Sequence, residues 1–169
     1  IHLLEVGCGS GIYIKEAAMH NQRLTALGVE LQADVVGMAR SNMAGWQLQG
    51  RVRIEEGDIR EKNFEREFDI VTLYNNIYYF PVSERVALLE HLKAFLKPGG
   101  FLIIVTGCQG GQPLMEMLNL WGAATEGADR LPAPDEMVAQ MQAAGFERVQ
   151  AKNFMPGDAF YRFVGYRKS

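Results

Sequence analysis

The sequence predicts an α/β fold: a Rossmann-like, doubly wound, mostly parallel seven-stranded sheet ending in an antiparallel hairpin. Three observations carry this expectation. Short apolar runs of β type alternate with helix-patterned stretches, a glycine-rich loop follows the first run at once, and the last two runs stand too close together for a helical crossover between them.

The first five β-type runs are residues 3–6, 24–29, 52–54, 68–74 and 101–105. Helical patterns fall between them at residues 12–20, 33–43 and 84–95, and in the last of these Val86, Leu89, Leu92 and Leu96 recur on one face. Ser83 is placed to cap that helix, and Lys97-Pro98-Gly99-Gly100 to stop it. Alternation of this kind implies parallel strands joined by right-handed crossovers.

A further helix is expected over residues 134–144 with Gly145 as its stop, followed by strands near residues 148–154 and 160–166. Only Met155-Pro156-Gly157-Asp158 separates those strands, so they must be antiparallel neighbours. Residues 107–134 interrupt the alternation, opening on Gly-Cys-Gln-Gly-Gly and closing with Pro132 and Pro134. They read as an insertion over the carboxyl edge of the sheet. A helix there with Met115, Leu118 and Trp121 facing inward would either wall a substrate pocket or simply complete a core.

Composition bounds the function. With 169 residues, 48% of them hydrophobic, the chain suits one domain and is short for two. A net charge of −3 with acids and bases intermixed leaves no basic stripe for phosphates, so no nucleic-acid partner is expected. The strongest apolar run, residues 101–105, is too short to cross a bilayer, which argues against a membrane partner and for a soluble protein. Cys8 and Cys108 form neither a disulfide framework nor a zinc or redox spacing, which points to a reducing cytoplasm. The chain opens on Ile1, directly at its first core strand, so an upstream segment is expected to be missing.

Four motifs carry chemistry. The first strand runs into Glu5-Val6-Gly7-Cys8-Gly9-Ser10-Gly11, a nucleotide-type loop in which glycines let the backbone turn sharply and approach a ligand. A dinucleotide loop of Gly-x-Gly-x-x-Gly spacing would require glycine where Ile12 stands. Glu30 closes the second strand, where a carboxylate can accept from both hydroxyls of a ribose. After the third strand comes Glu56-Gly57-Asp58-Ile59, able to accept from an adenine amino group while Ile59 packs on the ring. After the fourth comes Tyr74-Asn75-Asn76-Ile77-Tyr78-Tyr79-Phe80, polar at the strand end and then aromatic, as a pocket lining would be.

In this order the motifs resemble the class I S-adenosylmethionine-dependent methyltransferases over nearly the whole chain. The resemblance extends to Leu96-Lys97-Pro98-Gly99-Gly100-Phe101 and to Ala144-Gly145-Phe146. It implies S-adenosyl-L-methionine as cofactor, S-adenosyl-L-homocysteine as product, and a small, fairly apolar organic acceptor methylated on oxygen, nitrogen or carbon. By this resemblance Glu5, Gly7, Gly9 and Gly11 hold the methionine portion, Glu30 with Leu31 the ribose, Asp58 with Ile59 the adenine, and Asn75 contacts near the amino-acid end. Cys8 joins them by position in the loop; a small side chain is what fits between glycines, and no thiol chemistry is assigned to it. The implied reaction is in-line transfer of a sulfonium methyl, favoured by alignment and exclusion of water.

The segment Tyr79-Phe80-Pro81-Val82-Ser83-Glu84-Arg85 resembles the one in which many small-molecule O-methyltransferases carry a catalytic histidine, and Tyr79 takes the histidine's place. Tyrosine is a poor base near neutral pH unless its pKa is lowered, so Tyr79 stands as a catalytic candidate, an orienting hydroxyl or an aromatic wall. His2, ahead of the first strand, His20 at a helix end and His91 on a helix's polar side read as surface residues, and no residue cluster suggests a metal. Two other classes stay open: a module that binds S-adenosylmethionine without transferring its methyl, and an NAD-dependent oxidoreductase. Related enzymes often dimerise through an N-terminal region that this chain lacks, which leaves a homodimer open as well.

Overall fold

The apolar runs form one seven-stranded sheet in the computed structural model, which describes residues 1–110, 113–125, 127–154 and 159–168. Its strands are β1 (His2–Val6), β2 (Thr25–Glu30), β3 (Val52–Glu56), β4 (Phe68–Tyr74), β5 (Leu96–Gly107), β6 (Glu147–Asn153) and β7 (Phe160–Tyr166). Five helices accompany them: α1 (Ile12–His20), α2 (Ala33–Gly45), α3 (Arg85–Phe95), α4 (Pro113–Ala124) and α5 (Pro134–Ala143). The strand order is β3-β2-β1-β4-β5-β7-β6. Strands β1 to β5 run parallel, while β7 is antiparallel to both β5 and β6. The antiparallel ending predicted from the short connection is thus present; the connection itself, residues 155–158, lies outside the described residues.

Alternation along the strands feeds two cores, one on each face of the sheet. Leu3, Ala26, Val52 and Ile54 pack with Ile14 and Ala18 of α1 and Val36, Ala39 and Met43 of α2. Leu4, Val6, Val71, Leu73, Leu102 and Ile104 pack on the other face with α3 and α5. Strand order reverses between β1 and β4, and in open α/β sheets the crevice for a ligand lies outside the carboxyl ends of the strands at such a point.

Several local expectations are corrected. Ser83 does not cap α3: it lies inside a 3-10 turn, Val82–Glu84, and the residue ahead of the helix is Glu84, which makes no side-chain cap. The extended residue that opens this turn is Pro81 (φ −52°, ψ 139°), so the chain has already coiled when it reaches Ser83. The helix stops at Phe95, ahead of Lys97-Pro98-Gly99-Gly100, because Leu96 is already extended and pairs with Phe68. Leu96 therefore belongs to β5, and the buried face of α3 is Leu88, Leu89, Leu92 and Phe95, with Arg85 at its start. Arg167 takes up the carbonyls left at the helix end, donating to those of Lys93, Ala94 and Leu96. His2 is the first residue of β1 rather than a lead-in, and its amide donates to Asp69 at 2.6 Å.

Candidate functional site

A cavity of about 1040 Å³ lies at the switch point, bounded by the carboxyl ends of β1, β2 and β4 and by the aromatic segment after β4. Its lining includes Gly7, Glu30, Leu31, Asp58, Ile59, Asn75 and Tyr79, so seven of the sequence-derived site residues meet around one space.

The glycine loop reaches it through left-handed backbone. Gly7 has φ +61°, and a Cβ there would stand 2.6 Å from Nδ2 of Asn76, so the strand end and the Asn76 side chain fit together only without one. Gly9 has φ +52° and no atom within 4 Å of where its Cβ would be, which leaves open space beside its backbone. The loop is internally bonded. The amides of Gly7 and Cys8 donate to the Val29 carbonyl at 2.8 and 3.2 Å, and that of Gly11 donates to the Cys8 carbonyl at 2.9 Å. Lys15 N–H to Gly11 O, at 3.0 Å, is the first bond of α1, so the amides of Ile12, Tyr13 and Ile14 precede the intrahelical ladder and can face an anionic group.

Glu30 is bound to this loop. One carboxylate oxygen accepts from the Gly9 amide at 3.0 Å, and the other accepts from the amides of Leu31 and Gln32 at 2.9 and 3.1 Å. A carboxylate has about four lone-pair positions, so these contacts orient it and leave capacity for a ligand hydroxyl. Leu31 beside it is 61% exposed. The Glu30 carbonyl accepts from Gly57 at 2.9 Å and so fixes the turn that carries Asp58.

Asp58 lies in an ion pair that its motif did not reveal. Nε and Nη2 of Arg60 approach one Asp58 oxygen at 3.0 and 2.6 Å, and these contacts hold the Asp58 carboxyl below the usual carboxylate range. Arg60 also reaches Glu84 at 3.3 Å and lies over the Phe80 ring at 5.9 Å, tying the turn after β3 to the segment after β4. Ile59 is buried at 4% exposure and belongs to the core on the α3 side as well as to the cavity lining.

After β4, Asn75 takes a left-handed conformation (φ 54°) and donates its amide to Val105 at 2.8 Å. That turn sends the next side chain inward. Asn76 is buried, its side-chain amide donates to the Val6 carbonyl, and its Oδ1 has no partner among the described residues. Tyr79 is 49% exposed, its ring 4.7 Å from that of Tyr78, and it faces the cavity. Burial, and then Tyr79 beside it, push the Tyr78 hydroxyl up to about 12.

The segment after β5 both completes a small core and walls the cavity. Met115 is buried with Leu131 and Ala159, and Leu118 packs partly against them; Trp121 is 49% exposed and lines the cavity. Gly111 of this segment lies outside the described residues.

Two of the predicted loop residues have buried side chains. The Cys8 side chain is buried in the core on the α1 side, where it would meet a Cβ placed on Gly28 at 2.7 Å; only its backbone belongs to the loop. Burial pushes its thiol up to about 12. Glu5 is 1% exposed, and its Oε2 has no partner among the described residues. Removal from water raises its carboxyl to about 8.

Sequence reasoning missed Arg60, Asn76, Arg85 and Asp129. Arg85 is fully buried and donates to the carbonyls of Phe80 at 3.1 Å and Arg130 at 2.7 Å. Asp129 donates its amide to Tyr78 O at 2.7 Å and accepts from the Val82 amide at 2.9 Å. These bonds clasp the segment after β4 to the one after α4. Nothing in a single sequence marks either residue for this clasp, because the contacts that close it, Arg85 to Arg130 and Asp129 to Val82, span 45 and 47 positions.

Fold and cavity together are of the kind that holds an adenosyl-type ligand beside an acceptor. A family model described as a methyltransferase domain matches residues 3–100, more than half of the chain. A ubiquinone biosynthesis O-methyltransferase of Coxiella burnetii is 30% identical over 105 residues, covering 62% of this chain and 43% of that protein. Among solved structures, an O-methyltransferase-type protein of Nostoc punctiforme superposes with a TM-score of 0.89 at 22% identity, over 99% of this chain and 52% of the other. Human N-acetylserotonin methyltransferase, in complex with S-adenosylmethionine, superposes with a TM-score of 0.83 at 17% identity, over 99% and 49%. The chain belongs to the methyltransferase-domain family, in its class I S-adenosylmethionine-dependent branch. It spans less than half of the Coxiella relative and about half of the solved chains. No helix among the described residues is long and apolar enough to cross a membrane.

Proposed function

We propose that the protein transfers the methyl group of S-adenosylmethionine to a small organic acceptor, with oxygen as the atom methylated. The observation that carries this reading is the cavity whose lining joins Gly7, Glu30 and Asp58 with Tyr79 and Trp121. The O-methyltransferase names of the relatives support oxygen as the acceptor atom.

The residues present suit the cofactor. The space beside Gly9, which a Cβ would fill, can admit its methionine portion, and the amides at the start of α1 can face its carboxylate. Among the described residues Glu5 and Asn76 each keep a buried oxygen without a partner, and both are acceptors of the kind an ammonium group satisfies. Glu30 with Leu31 would hold the ribose, Asp58 with Ile59 the adenine, and Asn75 would make contacts near the amino-acid end. When bound, the cofactor supplies a methyl on a cationic sulfur, an electrophile ready for in-line displacement. The protein's part is alignment and exclusion of water. Tyr79, Phe80 and Trp121 form an aromatic acceptor wall, and the Tyr79 hydroxyl can orient an acceptor by a hydrogen bond.

Titration calorimetry with S-adenosylhomocysteine and, separately, NAD tests the reading. Binding of the homocysteine compound alone, much weakened in Glu30→Ala, is the expected result. Binding of NAD alone would overturn it.

A further inference from the structure

We propose that the acceptor end of the cavity takes an aromatic molecule bearing a protonated amine, its ring against Tyr79 and Trp121 and its ammonium against the Asp129 carboxylate. This rests on the methyl-transfer reading above and names the acceptor's chemistry.

Among the described residues, the charges that line the cavity are Glu30, Asp58, Arg60 and Asp129. Glu30 is turned toward the glycine loop by three backbone amides. Asp58 is engaged by Arg60, and Arg60 is paired a second time with Glu84. An anionic acceptor would therefore meet three carboxylates and one guanidinium that already has two partners. Asp129 is the carboxylate left for the acceptor.

Its place is well defined. The Asp129 amide donates to Tyr78 O, next to Tyr79, and its carboxylate accepts from Val82 on the far side of Phe80 and Pro81. Its carbonyl lies 3.2 Å from where a Cβ on Gly122 would stand, one residue beyond Trp121. Asp129 thus joins the two segments that carry the exposed rings. Backbone amides from Val82 and Arg130 orient the carboxylate without neutralising it, and each oxygen keeps a free lone pair. Of the cations behind it, Arg130 pairs with Glu136 at 2.6 Å and Arg85 donates to two carbonyls, and neither bonds the Asp129 carboxylate through its side chain. Those amides and cations hold the Asp129 carboxyl below its ordinary range, so it is charged at neutral pH. A charged carboxylate on the cavity lining that Tyr79 and Trp121 share suits a cationic nitrogen, which gains from ion pairing and from the ring faces together.

The test uses three compounds with one ring and one two-carbon arm, titrated onto protein saturated with S-adenosylhomocysteine: tyramine, 4-ethylphenol and 3-(4-hydroxyphenyl)propionate. Tyramine is expected to bind about tenfold more tightly than 4-ethylphenol, and the carboxylate more weakly than either. In Asp129→Asn, which keeps an acceptor for Val82, tyramine falls to the level of 4-ethylphenol. The proposal is overturned if the carboxylate binds as well as the amine, if none of the three binds at millimolar concentration, or if the amine preference survives in Asp129→Asn. Should that variant fail to fold, the order of the three on the wild-type protein decides. Failure of S-adenosylhomocysteine to bind would count against the cofactor assignment, and the three compounds would then be titrated onto the protein alone.

Discussion

Glu30 and Gly9 are 21 residues apart in sequence and joined by a hydrogen bond of 3.0 Å from the glycine amide to the carboxylate. The acid expected to read the ribose therefore also fixes the loop expected to cradle the methionine portion, and one side chain couples the two halves of the proposed cofactor site.

Glu30→Ala removes both functions. Loss of a charge-assisted hydrogen bond to a ligand costs about 2 kcal/mol, which is about 30-fold in affinity. Calorimetry with S-adenosylhomocysteine should show at least that loss, and Glu30→Gln, which keeps one acceptor oxygen, a smaller one.

Gly9→Ala separates binding from stability. With nothing within 4 Å of the new Cβ, the cost to folding is the left-handed conformation alone, about 1 kcal/mol and so about 3 °C in Tm. Affinity for S-adenosylhomocysteine should fall by far more, because the new methyl occupies the ligand's space. Equal losses in the two measurements would place the ligand away from Gly9.

Glu5 makes stability depend on pH. Burial raises its carboxyl to about 8, against about 4.3 for an unfolded glutamate, so the native state holds the proton more tightly. The stabilisation this provides is complete below pH 4 and is lost as pH rises through about 8. Thermal melts should therefore show the wild type losing more stability than Glu5→Gln between pH 5 and 8. Parallel curves for the two proteins would show that Glu5 is ionised in the folded chain.

Arg85→Lys should loosen the clasp over the acceptor end. A lysine cannot span the carbonyls of Phe80 and Arg130 as a guanidinium does, and a lost buried bond of this kind costs about 2 kcal/mol. Hydrogen exchange should quicken at the amides of Val82 and Asp129, which bridge the two segments, and stay unchanged in β1 and β2.

The strand periodicity, the glycine spacing and the short final connection were enough to read the sheet, the left-handed glycine loop after β1 and the antiparallel ending. Each is a local property: pleat alternation, left-handed turns and a connection's reach are set by neighbouring residues. Ser83 was misread because the helix start was decided by Pro81 and the turn at Val82, and the helix end at Phe95 by pairing of Leu96 with Phe68. Cys8 sits in the loop motif, but the side chain's direction depended on the space left by Gly28 of the neighbouring strand. Tertiary structure alone decided the rest: that Arg60 reaches Glu84, that Asn76 rather than Asn75 is buried against the glycine loop, and that Arg85 and Asp129 join the segments after β4 and α4. The clasp, and the seat of Asn76 on the loop, are contacts between distant segments, and such contacts are fixed only when the sheet's order brings those segments to one edge.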